Sequence, residues 1–119
     1  MNSLPYSVLF MAEQMLPDFQ ILFIDDEVQS RFGRTGKLFA IEHYKIEPDI
    51  MTIAKGIARG FPLSAFITRD EIASSFRPGD HLSTFGGNPV SCVAAIANIE
   101  FLLDEKIPEK TLEKGNYFI

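Results

Sequence analysis

Short apolar runs alternate with polar, glycine-bearing stretches along this chain, and their lengths suit strands and short helices. Ile21-Leu22-Phe23-Ile24 is an apolar run with β-branched ends, which predicts a buried strand over 21–24. Asp49 to Ala54 predicts a second strand and Leu63 to Thr68 a third. Between the first two lie a loop from Asp25 to Lys37, broken by Gly33 and Gly36, and a helical turn over Leu38 to Tyr44 before Pro48. Gly56 to Pro62 is a glycine-punctuated connection. Upstream, Val8 to Leu16 predicts a short helix ended by Pro17. Downstream, Asp70 is placed to cap a short helix reaching Phe76, with Pro78-Gly79 behind it. A loop from His81 to Asn88 leads to Pro89, a first-turn helical proline. The helix then predicted from Val90 to about Leu103 has apolar positions at Val93, Ile96, Ala97, Phe101 and Leu102. Alternating strands and helices define an α/β class.

Composition narrows the function more than the fold. At 119 residues the chain holds at most one ordinary domain, and 46% hydrophobic with 23% charged residues is a globular balance. A net charge of −5 gives no electrostatic support to nucleic-acid binding. Cys92, the single cysteine, has no partner for an internal disulfide, which fits a reducing cytoplasm. No apolar run approaches the ~20 residues of a membrane span. Met1 to Gln20 carries no Lys or Arg, unlike the basic start of a signal peptide. The apolar end Tyr117-Phe118-Ile119 and the thin set of strands suggest a slice of a larger fold.

Candidate chemistry gathers at the ends of the apolar runs. Asp25-Asp26-Glu27 closes the first run, and Lys55 follows Ile50-Met51-Thr52-Ile53-Ala54. The interval between Asp26 and Lys55 accommodates one crossover between neighbouring strands, placing a carboxylate and a half-buried amine at one sheet edge. A desolvated lysine loses charge more readily and becomes a nucleophile. A lysine before a loop glycine is, by itself, an ordinary surface amine. Its even spacing with Asp26 and Thr84, each at or beyond an apolar run, favours the functional reading, because ligands of open α/β sheets lie outside such ends. Two other chemistries fail. Gly33-Arg34-Thr35-Gly36-Lys37 resembles half a phosphate loop, but the full pattern needs Gly at 31 and Ser or Thr at 38, where Arg31 and Leu38 stand. Three consecutive carboxylates on a strand alternate in direction and do not converge on a metal, and His43 and His81 have no partner at ligand spacing.

The motifs as a set are more specific. Asp26-Glu27-Val28-Gln29-Ser30, Phe32-Gly33-Arg34-Thr35-Gly36, Glu47-Pro48-Asp49-Ile50, Ala54-Lys55-Gly56, Gly60-Phe61-Pro62-Leu63 and Ser83-Thr84-Phe85-Gly86-Gly87-Asn88-Pro89 occur in order. From Ile21 to Glu105 the chain resembles the class III pyridoxal-phosphate-dependent aminotransferases. The resemblance implies an incomplete part of a fold-type-I large domain, a mostly parallel sheet flanked by helices. Residues 21–105 would be the central part, 1–20 an unassigned start and 106–119 a truncated end. It also implies roles. Lys55 would form the internal Schiff base with pyridoxal 5′-phosphate and then move the 1,3-proton. Asp26 would keep the pyridine nitrogen protonated, which makes the ring an electron sink. Val28 would pack on the ring, and Gln29 would hydrogen-bond its phenolic oxygen. Thr84 would bind the phosphate of the neighbouring subunit's cofactor, so a homodimer is implied.

The implied reaction transfers an amino group from an amino acid or ω-amino acid to a 2-oxo acid. The motif wording resembles 4-aminobutyrate and related ω-amino-acid aminotransferases most, with acetylornithine aminotransferase the nearest rival. A non-catalytic remnant of a split gene is the alternative from another class. Arg31 and Arg59 depart from the family, both standing where glycine is usual. The family's main phosphate loop, its ring-stacking aromatic and its small domain have no counterpart here.

Overall fold

The fold comes from a computed structural model, which describes residues 6–118. In chain order these form α1 (Tyr6–Met15), β1 (Ile24–Asp26), β2 (Ile50–Ile53), β3 (Ala65–Thr68), α2 (Asp70–Ala73), α3 (Pro89–Asp104) and α4 (Ile107–Tyr117). Single 3-10 turns occur at Pro17–Phe19, Ala40–His43 and Lys55–Ile57. The end residue Ile119 lies outside the described part.

The strands make one sheet in the order β1-β2-β3. β1 and β2 run parallel, with Ile24 opposite Ile50 and Asp26 opposite Thr52. β2 and β3 run antiparallel, with Ile50 opposite Thr68 and Ile53 opposite Ala65. The stretch over 27–49 is long enough for the crossover a parallel pair requires, whereas the connection over 54–64 turns the chain straight back. The described sheet is therefore mixed, where a mostly parallel one was expected. Asp49 ties its start together: Phe23 N donates to Oδ2 at 2.7 Å, Thr68 Oγ1 donates to the Asp49 carbonyl at 2.8 Å, and Arg69 pairs with the carboxylate.

The core is small and sits beneath the turn at Lys55. Ile53, Ile57, Ala58 and Ala95 are buried together, with Phe32, Phe39, Met51, Leu63 and Ala94 packed around them. Other apolar surface stays open. Ile21, Leu22 and Ile24 are at least half exposed, so the buried strand expected over 21–24 is an edge strand that begins only at Ile24. The described residues measure 48 × 41 × 22 Å with a radius of gyration of 16.2 Å. A compact domain of this length has a radius near ~13–14 Å. The molecule is a slab with one sheet face and much of α3 uncovered.

The helices obey local rules with two departures. Asn88 caps α3 by accepting from Val90 N at 3.0 Å and Ser91 N at 3.2 Å, and Pro89 occupies the first turn, as expected. The face α3 buries is Ser91, Ala95, Asn98 and Leu102. Val93, Ile96 and Phe101, read from sequence as its apolar face, are exposed. Small and polar residues win that face because α3 packs closely on a backbone turn whose carbonyls need donors. Asp70 lies inside α2 rather than capping it, and the cap position is Arg69. The hydroxyls of Ser74 and Ser75 bond back to the Glu71 and Ile72 carbonyls at 2.9 and 2.7 Å, so the helix stops short of Phe76.

α4, unassigned from sequence, begins after Lys106 at φ +50 and carries Pro108 in its first turn. It packs on the loop over 33–36 through Pro108 and Leu112. Gly36 has φ +89, and a Cβ there would stand 2.8 Å from Leu112 Cβ. Gly60 has φ +107 but nothing within 4 Å. Gly60→Ala therefore meets only backbone strain, whereas Gly36→Ala meets strain and overpacking. In urea unfolding Gly36→Ala is expected to lose ~1–3 kcal/mol more than Gly60→Ala. Equal losses would mean that α4 does not pack against this loop.

Candidate active site

The parallel pair carries its polar residues at its carboxyl end. Asp26 ends β1, and its Oδ1 accepts from Val28 N and Thr52 Oγ1, both at 3.0 Å. The first bond bends the chain out of the strand, and the second ties it to β2. Oδ2 accepts no hydrogen bond among the described residues, so the exposed carboxylate keeps one oxygen for another donor. Lys55 follows β2 across Ala54 and opens a 3-10 turn. Its side chain is exposed, not half-buried, because the core lies on the other side of the turn, under Ile53 and Ile57. Among the described residues its amine makes no ion pair. Lys55 has φ +40, in the left-handed region that costs a non-glycine residue about 1–2 kcal/mol.

That turn is held from both sides. On one side the guanidinium of Arg31, 2% exposed, donates from Nη1 to the Glu27 carbonyl at 2.6 Å and to the Thr52 carbonyl at 3.3 Å. Its Nη2 donates to the Ala54 carbonyl, immediately before Lys55. The guanidinium also lies 4.9 Å from the Phe32 ring centroid. On the other side the buried Asn98 donates from Nδ2 to the Gly56 carbonyl at 2.9 Å and the Ile57 carbonyl at 3.0 Å. Its Oδ1 accepts from Arg59 Nε at 3.0 Å. Arg31 and Arg59, the two departures from the family pattern, thus meet the same turn.

The remaining acids of the cluster, Asp25 and Glu27, point to the face opposite Asp26, because side chains alternate along a strand. Glu27 is 1% exposed and structural: Oε1 accepts from Ile41 N at 2.8 Å, and Oε2 accepts from the Ser30 hydroxyl. Asp25 buries its Oδ2 with no partner. Burial first, then the charges of Glu27 and Asp26, push its carboxyl up to about 6. Burial also lowers the Arg31 guanidinium from its ordinary value, against the raising effect of Glu27 and Asp26. No group of metal-ligating side chains occurs among the described residues. No helix there is long and apolar enough to cross a membrane.

Val28, Gln29 and Lys55 line one cavity of about 650 Å³ with Arg31, Arg34 and Arg59. A second cavity, about 780 Å³, shares Val28 and runs to His81, Ser83, Gly86 and Gly87. Thr84 lies in the exposed turn beside that second cavity and lines neither. Val28, Gln29 and Lys55 thus share one cavity; Asp26 stands at the same end of the parallel pair, opposite Thr52, but like Thr84 lines neither cavity. The donor set suits pyridoxal phosphate: an amine without an ion pair, a carboxylate oxygen without a donor, an apolar wall and an amide beside a ligand-sized cleft. Sequence reasoning missed Asn98. Its signal was an amide at the Ser91, Ala95 and Leu102 spacing of an apolar helix, since a buried amide needs partners.

Comparison with known proteins agrees with the geometry. The model of the Aminotransferase class-III family matches residues 5–119, and the chain belongs to that family. It is 47% identical over 115 residues to the acetylornithine aminotransferase of Methanothermobacter thermautotrophicus, covering 97% of this chain and 30% of that protein. It is 41% identical over 119 residues to the ornithine aminotransferase of a Geobacillus species, covering 99% of this chain and 30% of that protein. The crystal structure of acetylornithine aminotransferase from Elizabethkingia anophelis superposes with a TM-score of 0.90 at 38% identity, covering 96% of this chain and 30% of that one. The fold is thus part of a fold-type-I aminotransferase, and the family depends on pyridoxal phosphate. The chain spans about 30% of the length of these relatives. The first carries the name of the rival reading, the second that of an ornithine aminotransferase, and neither is named a 4-aminobutyrate aminotransferase.

The Asp25 carboxyl makes stability depend on pH. The folded chain binds its proton more tightly than the unfolded chain, so the protonated group favours folding. That contribution is complete below 3.8 and is lost as pH rises through about 6. Asp25→Asn is neutral throughout and is expected to raise the unfolding midpoint more at pH 7.5 than at pH 5. Equal gains at both would mean Asp25 ionises normally in the folded chain.

Proposed function

We propose that this chain is the central, catalytic part of a cytoplasmic, homodimeric aminotransferase that moves an amino group from a terminal amine to a 2-oxo acid. Residues 21–105 are its share of the large domain. The observation that supports this reading is that Lys55 lines one cleft with Val28 and Gln29 at the carboxyl end of the parallel pair, the end where Asp26 stands opposite Thr52. Ornithine, acetylornithine and 4-aminobutyrate all present an amine at the end of a carbon chain, remote from a carboxylate. The relatives support the first two as donors over the third.

Pyridoxal phosphate, when bound, supplies a ring that takes up the negative charge left when a proton leaves the substrate's amino carbon. Lys55 Nζ would hold the cofactor through its aldehyde carbon, would be released when the substrate amine takes that place, and would then carry the proton between the two carbons. Asp26, through the oxygen its turn leaves open, would keep the ring nitrogen protonated. Val28 would pack on one ring face, and the Gln29 amide would donate to the phenolic oxygen. Thr84, away from the cleft of its own chain, fits a phosphate contact made to a second copy.

Borohydride treatment of the loaded protein is expected to fix the pyridoxyl group on the peptide containing Lys55 and to leave Lys37 and Lys45 free. Label spread evenly over the lysines would remove Lys55 from the role. With 2-oxoglutarate as acceptor, acetylornithine and ornithine should outperform 4-aminobutyrate as donors; the reverse order would restore the 4-aminobutyrate reading. Asp26→Ala is expected to lower turnover by about 10²–10³-fold while Lys55 still takes the label. Activity within tenfold of the parent would exclude Asp26. The 119-residue chain alone should give no saturable turnover, for want of the rest of the substrate and phosphate sites.

A further inference from the structure

We infer that Asn98 and Arg31 are positioning residues for Lys55, a two-sided clamp that holds its backbone left-handed and so fixes where its amine stands. The inference rests on the assignment of Lys55 above. Four carbonyls surround the turn, and each accepts from one of these two side chains: Thr52 and Ala54 from Arg31, Gly56 and Ile57 from Asn98. The Ile57 N–H returns to the Ala54 carbonyl at 3.2 Å and closes the turn between the two clamps. Among the described residues neither clamp hydrogen-bonds the Lys55 side chain; the bonds they make here go to backbone.

The geometry explains why both are needed. Lys55 at φ +40 lies where a side-chain-bearing residue resists staying. A single clamp would let the turn pivot about its other end, swinging Nζ away from the Asp26 edge. Arg31 also donates to the Glu27 carbonyl, one residue past Asp26. It thereby couples the strand end that carries the carboxylate to the turn that carries the amine. Arg59 completes the set: its Nε occupies the Asn98 Oδ1 and orients the amide so that Nδ2 faces the turn. Arg59 itself has φ +46, so the turn's exit is left-handed as well as its entry.

The test uses the whole protein that carries this chain. Asn98→Leu keeps the approximate volume and removes both amide donors; Arg31→Lys keeps the charge and cannot span the carbonyls. In each variant, freed of cofactor, Lys55 is acylated with a small amine-reactive acyl donor, with Lys37 and Lys45 as internal references. The acylation rate of Lys55 relative to those references is expected to change severalfold. Turnover should fall by about ten- to a hundredfold in kcat with KM for the 2-oxo acid little changed. A folded variant with parental Lys55 reactivity and kcat overturns the clamp. In the parent, hydrogen exchange at the Ile57 amide, which closes the clamped turn on the Ala54 carbonyl, should be slower than at Gly86, which closes an unclamped turn on the Ser83 carbonyl; equal rates overturn the clamp even if both variants fail to fold. Acylation reads the turn without the cofactor. A reactivity shift with no pyridoxyl label on Lys55 would therefore keep the clamp and discard the catalytic assignment.

Discussion

Backbone carbonyls crowd the carboxyl end of β2 and the turn after it, and their pairing with two side chains governs the rest of the molecule. A buried carbonyl left unpaired there would cost about 1–3 kcal/mol. Arg31 and Asn98 supply the donors. Because Asn98 belongs to α3, the helix must lie close over the turn, which requires the small neighbours Ser91 and Ala95 on the same face. The core cluster of Ile53, Ile57, Ala58 and Ala95 is the apolar lining of that contact. Helix position, core and active-site turn are one arrangement.

Burying Arg31 is costly without partners. The guanidinium is offset by three carbonyls and a ring face rather than by a direct ion pair. Its Nε stays buried without a hydrogen-bond partner, and so does Asp25 Oδ2. Asp25 responds by holding its proton towards neutral pH. Asp26, one residue on, faces solvent and keeps an oxygen open. Adjacent carboxyls of one strand thus receive different environments from the pleat alone.

The sequence made the strands, the long helix and the family legible because each depends on local pattern or on motif order. Ile50 to Ile53 and Pro89 to Asp104 formed where periodicity and capping put them. What stayed hidden depends on distant packing. The burial of Ile21 to Ile24 was misread because an apolar run signals a strand but not what covers it. The face of α3 was misread because Asn98 outranks Val93 and Ile96 only when carbonyls wait opposite. Lys55 was expected to be half-buried because a run of apolar neighbours cannot reveal that the chain turns its core side away. Arg31 and Arg59 stood out against the family pattern, yet their convergence on one turn required the fold.

The clamp also orders events during synthesis. Asn98 reaches back 42 residues to the Gly56 carbonyl, and Arg31 reaches forward 23 to that of Ala54. At ~5–20 residues per second, the ribosome releases the Lys55 turn ~2–8 s before the helix that secures it. Through that interval nothing on the α3 side holds Lys55 left-handed, and Arg31 alone bridges the end of β1 to the turn. The geometry of Lys55 is therefore among the last features of this segment to set, and its maturation is timed by the arrival of α3 rather than by the pairing of the strands.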